Sequence, residues 1–98
     1  MIIKCSENNG AAVITPEGKL DHVTVTEFEE KVTELGEKNN SLTLDMAGVE
    51  YVSSAALRAI LNANDLMEGK GGLKLTNVNQ KVMEILKITG FSDYLNIQ

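Results

Sequence analysis

Strand-like and helix-like hydrophobic segments alternate along this chain, and their order restricts the folds that it can adopt. At the amino terminus, two apolar-alternating segments flank Asn9-Gly10, a dipeptide that readily supplies the positive φ angles of a tight hairpin turn. Three later segments carry apolar residues three or four positions apart, as amphipathic helices do, and short strand-like segments separate them. The predicted order is β-β-α-β-α-β-α. Because parallel strands need crossover connections, this order predicts an α/β domain with helices lying on a mixed sheet.

Local signals predict where the second strand and the first helix end. Pro16 cannot donate a ladder hydrogen bond, so we expect the second strand to end there. Thr24 and Glu27 have the spacing of a capping box at the start of the first helix, and we expect Gly36 to end it. The apolar face of this helix contains four residues: Val25, Phe28, Val32 and Leu35.

The second half of the chain repeats the pattern of a strand followed by a helix. "SLTLDM" at 41–46 alternates apolar and polar residues and predicts a strand, and the helical spacing after the serine pair ends at "EGKGG". "LKLTNV" at 73–78 predicts another strand, and "NQKVMEILKITG" at 79–90 predicts an amphipathic helix with Gly90 as its C′ residue. The tail "FSDYLNIQ" leaves two alternatives, a final strand or loose packing.

Length and composition limit the functional classes. The 98 residues fit one domain, predicted to span 1–98, and a hydrophobic content of 43% is sufficient for a core. A formal net charge of −5 argues against binding to nucleic acids or anionic membranes, since both need a basic surface. No apolar run reaches the length of about 18 residues that a membrane span needs, so we expect a cytoplasmic protein. The single cysteine, Cys5, lies in an apolar-alternating segment and is predicted to be a buried thiol.

Ser53 and Ser54 separate the strand-like segment before them from the helix that follows. Serine favours the N-cap position because its side-chain oxygen accepts a hydrogen bond from an otherwise unpaired backbone N–H, which stabilises a helix by about 1 kcal/mol. One serine is enough for a cap, so the other hydroxyl is left near the positive end of the helix. Phosphorylation there would suit the helix but not a partner surface built against a neutral hydroxyl. The residues alone therefore allow either a cap only or a switch.

Three segments carry a family likeness: "GKLD" at 18–21, "LTLDMAGVEYVSSAALRAIL" at 42–61 and "LKLTNVNQKVMEILKITGF" at 73–91. Together they resemble the STAS domain of bacterial anti-sigma factor antagonists, and the resemblance covers almost the whole chain. It implies a single STAS-like α/β domain, with a mixed sheet of four to five strands and three or four helices packed mainly on one side.

The resemblance also implies a site. In the family the switch serine lies at the N-terminus of the helix after the third strand, and alignment on Leu57 places it at Ser54, the implied phosphoacceptor. The family often has Asp and Gly where this chain has Ser53 and Ala56. The partner is expected between the loop at Asp21 and the helix at Ser54. The implied partner-binding residues are Asp21, His22, Ser53, Ser54, Ala56 and Arg58.

Members of the family work by partner exchange, and this implies a function. The unphosphorylated antagonist binds an anti-sigma factor that is also an ATP-dependent serine kinase, phosphorylation by that kinase ends the contact, and a phosphatase restores it. By this resemblance the chain is a bacterial signalling protein in transcription regulation and a monomer. It needs no cofactor of its own, because the partner holds ATP and Mg²⁺.

Two other functions are alternatives to this one. The alternative binding function is a STAS scaffold that is never phosphorylated, or an accessory subunit of a signalling or transport complex. An enzyme is disfavoured, because His22 is the only histidine and its neighbour Asp21 is not aimed at the imidazole by spacing alone. "EGKGGLK" at 68–74 also lacks the spacing of a phosphate-binding loop.

Overall fold

The predicted hairpin forms at the amino terminus. In the computed structural model, which describes residues 1–98, β1 (Ile2–Asn8) and β2 (Ala11–Leu20) pair in antiparallel register. Asn9 and Gly10 connect them with φ angles of 52° and 82°. These positive angles give the local twist that a two-residue hairpin turn requires.

Helices and parallel strands follow the hairpin, and two strands stand between the first two helices where the predicted order has one. The elements after β2 are α1 (Val25–Lys38), β3 (Ser41–Asp45), β4 (Val49–Val52), α2 (Ser54–Met67), β5 (Leu73–Thr76), α3 (Gln80–Ile88), a 3₁₀ turn (Phe91–Asp93) and β6 (Asn96–Ile97). With β4 and the strand β6 of the tail, the sheet has six strands. The strands lie in the order β1-β2-β3-β5-β6, and β4 pairs with the carboxyl end of β2. All pairs beyond the hairpin are parallel, so the sheet is mixed, and the expected α/β fold is confirmed. No helix combines the length and the apolar character needed to cross a membrane.

The core lies between the sheet and the helices on one of its faces. Along β3 and β5, every second side chain is buried and the residues between them are half-buried on the open face. Burying one such leucine contributes about 1.5–3 kcal/mol, so this alternation fixes which face of the sheet the helices cover. The inward-facing leucines of these two strands are Leu42, Leu44, Leu73 and Leu75.

Pro16 does not end β2, contrary to the prediction. The strand pairs with β3 through Ile14 and with β4 from Gly18 onward, so Pro16 lies in the gap between its two parallel neighbours. A proline is tolerated there because no parallel partner pairs with it. The strand therefore continues to Leu20 and carries the chain to the edge of the sheet where the candidate site lies.

Gly36 does not end α1 either, because the helix continues to Lys38. A Cβ atom at this position would lie 2.8 Å from Leu66 Cδ2 and 3.2 Å from Met67 Sδ, so the glycine permits close packing of α1 on α2. Lys70 Nζ donates a hydrogen bond to the carbonyl oxygen of Gly36 at 2.9 Å and satisfies one of the last carbonyls of the helix.

The prediction of a buried thiol at Cys5 is wrong. Cys5 pairs with Ile14 across the hairpin, yet Cys5 is exposed while Ile14 is fully buried. The reason is the position of β1 as the outer strand of the sheet, where six of its seven residues are exposed. The alternation of apolar residues in this strand therefore reflects pairing with β2 rather than coverage by a helix.

Candidate functional site

The candidate site lies at the edge where β2 and β4 end. Leu20 and Val52 are register partners in these parallel strands, and the N–H of Ser53 donates to the carbonyl oxygen of Leu20 at 2.9 Å. The residues that follow the two strands, Asp21 and Ser53, therefore start from adjacent points of the backbone. Crevices outside the carboxyl ends of parallel strands are common binding sites in α/β folds.

Ser53 is the N-cap of α2. Its backbone is extended, with φ −89° and ψ 174°, and its Oγ accepts a hydrogen bond from the N–H of Ala56 at 3.2 Å. Its carbonyl oxygen accepts the first helical bond, from the N–H of Leu57 at 2.9 Å. This geometry is the usual one for a serine cap, so one of the two hydroxyl groups has a structural task.

Ser54 is the first residue of α2, and its side chain is exposed. The hydroxyl group of Ser54 takes part in none of the side-chain hydrogen bonds within the chain, because Ser53 already supplies the cap. The first helical position lies at the positive end of the helix dipole, which favours negative charge. An accessible hydroxyl group at this position can accept a phosphoryl group without the loss of any bond that holds the fold.

Asp21 caps the turn that leads into α1. Its Oδ1 accepts hydrogen bonds from the N–H groups of Val23 at 2.9 Å and Thr24 at 3.1 Å, and Thr24 Oγ1 accepts one from the N–H of Asp21 at 3.0 Å. This reciprocal pattern is a capping box, located three residues before the predicted one. The prediction that Thr24 and Glu27 form the box is wrong, because the Thr24 hydroxyl bonds Asp21 and donates to the carbonyl oxygen of Lys19 at 2.8 Å.

The same bonds hold the pKa of Asp21 below the value of 3.8 for a free side chain. The largest cause is the hydrogen bond from the Thr24 N–H and the next is that from the Val23 N–H, because both favour the charged carboxylate. Asp21 is therefore negatively charged at neutral pH. Its neighbour His22 is exposed at the same edge.

The groove that borders Ser54 does not lie where it was expected. None of the four surface cavities is lined by Asp21 or His22. Ser54 instead lines a groove of about 340 Å³. This groove lies between α2 on one side and the end of α3 with the 3₁₀ turn on the other. We call this the α2–α3 groove. It is lined by Ser54, Leu57, Arg58, Leu61, Asn62, Thr89 and Phe91.

The remaining residues predicted for the partner surface differ in accessibility. Arg58 is exposed on α2, whereas Ala56 has no exposed surface. Ala56 is therefore corrected from a partner-binding residue to a core residue, because its place in the first turn of α2 points it toward the sheet. Thr89 and Phe91 were missed, since only tertiary packing brings the end of α3 beside α2. The chain contains no group of three or more His, Cys, Asp and Glu side chains arranged as metal ligands.

Comparisons with known proteins agree with this fold. A family model described as the STAS domain matches residues 3–98. The anti-sigma-B factor antagonist of Bacillus subtilis (strain 168) is 24% identical over 96 residues, which cover 97% of this chain and 88% of that protein. The crystal structure of an anti-sigma factor antagonist from Mycobacterium paratuberculosis matches with a TM-score of 0.88 at 16% identity, covering 98% of this chain and 83% of that one.

The structures of one further relative, the Bacillus cell fate determinant SpoIIAA, represent two chemical states. Its unphosphorylated form matches with a TM-score of 0.76 at 14% identity, and its phosphorylated form with 0.75 at 15% identity. Each match covers 99% of this chain, and they cover 87% and 91% of the respective SpoIIAA chains. The same fold therefore accommodates both states of that protein.

Proposed function

Because this chain belongs to the STAS domain family, we propose that it is an anti-sigma factor antagonist that works by partner exchange. In this scheme it binds an anti-sigma factor that is also a serine kinase while Ser54 is unphosphorylated, and it releases that partner after phosphorylation. The observation that carries the proposal is the separation of roles at the start of α2. Ser53 caps the helix, and the hydroxyl group of Ser54 is exposed and unbonded.

The location of Ser54 explains how phosphorylation can act on binding without unfolding the protein. A phosphoryl group adds a charge of about −1.5 to −2 at neutral pH. The positive end of α2 favours this charge, and the cap on Ser53 stays intact. A partner surface packed against the neutral hydroxyl group would have to desolvate the dianion without a cation of its own, which costs several kcal/mol. Phosphorylation therefore weakens the complex more than it changes the fold.

The surroundings of Ser54 supply the rest of the proposed partner surface. Asp21 and His22 follow β2 at the same edge, and Arg58 lies one helical turn after Ser54. Ser53 contributes as the residue that fixes the start of α2. The partner brings ATP and Mg²⁺, a phosphatase reverses the modification, and the antagonist itself acts as a monomer in the cytoplasm without catalysing a reaction.

The test is the mass of the protein purified from its own growing and starved cells, followed by mapping of any phosphate. We expect one added phosphate on Ser54, with an occupancy that changes between the two conditions, and none on a Ser54→Ala variant. Ser53→Ala serves as the matched control, because it removes the neighbouring hydroxyl group and keeps Ser54. Phosphate on Ser53, or phosphate retained by Ser54→Ala, would mean that the phosphoacceptor is a residue other than Ser54. No phosphate under either condition, from a protein that still binds its partners, would support the scaffold function instead.

A further inference from the structure

The α2–α3 groove combines apolar walls with a single cation. Three of its seven lining residues are apolar and three others are polar but uncharged, which leaves Arg58 as its only charge. The groove between α1 and α2 contains Glu29, and the next one along α1 is lined by three glutamates and one lysine. The α2–α3 groove is thus the one on the helical face that suits an apolar segment carrying negative charge.

Arg58 has no partner within the chain. It is absent from all four ion pairs and from the side-chain hydrogen bonds, although the protein has 14 acidic residues and a net charge of −5. It is also the only arginine of the sequence. A guanidinium group binds carboxylates through two parallel hydrogen bonds, and arginine is enriched among the residues that dominate binding energy. An unpaired arginine beside an apolar groove is therefore complementary to a carboxylate on a partner.

Two strongly exposed apolar residues lie close in sequence to the groove residues at the end of α3. Ile88, which precedes the groove residue Thr89, is 86% exposed, and Tyr94 is 71% exposed. Asn64 of α2 donates a hydrogen bond to the carbonyl oxygen of Tyr94 at 3.4 Å, which ties the segment after the 3₁₀ turn to α2. Exposed apolar side chains that adjoin a groove extend the area that a partner can cover.

We propose that the α2–α3 groove binds an amphipathic helix of the partner, with its apolar side chains against Leu61 and Phe91 and a carboxylate on Arg58, while the nearly buried Leu57 forms the floor. Helices that place one apolar face in a hydrophobic groove are a recurrent mode of recognition. The inference rests on the proposed function, because the partner is the anti-sigma factor. It also supplies a reason for release: a phosphoryl group on Ser54, one turn from Arg58 in the same groove, pairs with the guanidinium group and repels the carboxylate.

The test is a titration of the isotope-labelled protein with model peptides, followed by amide NMR. The probe is a capped alanine-based peptide of about 16 residues, long enough to form a helix, with leucines on one face and a glutamate beside them. We expect shifts of amides in 57–62 and 88–91. Arg58→Gln should weaken binding about threefold to tenfold. Lys87→Gln is the matched control, because it removes the same charge from α3 outside the groove lining, and it should bind as the unchanged protein does. Phosphoserine at position 54 should also weaken binding.

Three outcomes would overturn the inference. Equal binding of a peptide with lysine in place of glutamate, or equal binding by Arg58→Gln and Lys87→Gln, would rule out the contact between Arg58 and a carboxylate. If no amide shifts occur in the groove at saturating peptide, a helix is not what the groove binds. Shifts of the same amides that depend on protein concentration without peptide would show that a second copy of the chain occupies the groove. None of these outcomes affects the phosphate mapping at Ser54, so the two proposals can fail separately.

Discussion

Ser53 and Ser54 are neighbours in the sequence, but their hydroxyl groups have different surroundings. Ser53 Oγ is bonded to the N–H of Ala56, and the hydroxyl group of Ser54 faces solvent. The sequence could predict that a serine caps this helix, and the family resemblance could point to Ser54. Which serine is the cap follows from where β4 stops, because the pairing of Val52 with Leu20 places Ser53 at the first extended position after the strand.

This difference predicts that two similar substitutions have different effects on stability. Ser53→Ala removes the cap of α2 and should lower the free energy of unfolding by about 1 kcal/mol. Ser54→Ala removes an exposed hydroxyl group without a partner and should change it by less than about 0.5 kcal/mol. Urea unfolding of the two variants beside the unchanged protein measures both values. Equal losses would mean that the two hydroxyl groups share the cap.

The start of α1 shows how an element depends on a residue outside its regular part. The chain begins its helical turn at Asp21, whose carbonyl oxygen accepts a hydrogen bond from the N–H of Val25 at 2.9 Å. Spacing alone indicated a capping box of Thr24 and Glu27. The structure favours Asp21 and Thr24, because the end of β2 delivers Asp21 to the turn in an orientation where its carboxylate meets two backbone N–H groups.

The cap on α1 predicts a pH dependence. The pKa of Asp21 is lowered in the folded protein, so its charge stabilises the fold above the unfolded value of 3.8, and this contribution is lost as the pH falls through the folded value. Asp21→Asn keeps a residue that caps helices but does not titrate. The free energy of unfolding, measured with urea, should be higher for the unchanged protein than for Asp21→Asn at neutral pH. This difference should shrink between about pH 5 and about pH 3. A constant advantage over this range would contradict the role of the charge.

The turn between α2 and β5 predicts a second effect on stability. The N–H of Gly71 donates to the carbonyl oxygen of Asn40, and a Cβ atom at Gly71 would lie 2.8 Å from that oxygen and 2.9 Å from Ser41 Cβ. Gly71→Ala should destabilise the protein by about 1–3 kcal/mol, because backbone atoms there cannot yield. Gly36→Ala is the comparison and should lower the free energy of unfolding by less. The new Cβ atom there would meet the flexible end of the Leu66 side chain, and alanine favours the helix. Thermal or urea unfolding that ranks the two variants in the opposite order would contradict this reasoning.

For the whole molecule, most of the order of elements could be predicted, because hydrophobic period and turn residues act locally. The exception is β4, which was not counted as a strand of its own and forms through its pairing with the distant β2. Asn9-Gly10 and the alternation around Leu42 and Leu44 are such signals, and both were correct. The exposure of individual side chains could not be predicted in the same way, because it depends on which strand is outermost and on which helix ends meet. Cys5 is exposed because β1 forms an edge, and Phe91 reaches the candidate site only through the packing of α3 and the 3₁₀ turn beside α2.

Negative charge at Ser54 should leave the fold of the whole molecule unchanged. Ser54→Asp places a carboxylate at the positive end of α2 and leaves the Ser53 cap in place, so the free energy of unfolding should stay the same or rise by up to about 1 kcal/mol. Amide spectra should change only near the start of α2 and along the α2–α3 groove, while the strands of the sheet keep their shifts. Such a result would mean that phosphorylation alters the charge of a rigid surface. Shifts spread across β1 to β3, or a clear loss of stability, would instead point to a change of fold as the signal.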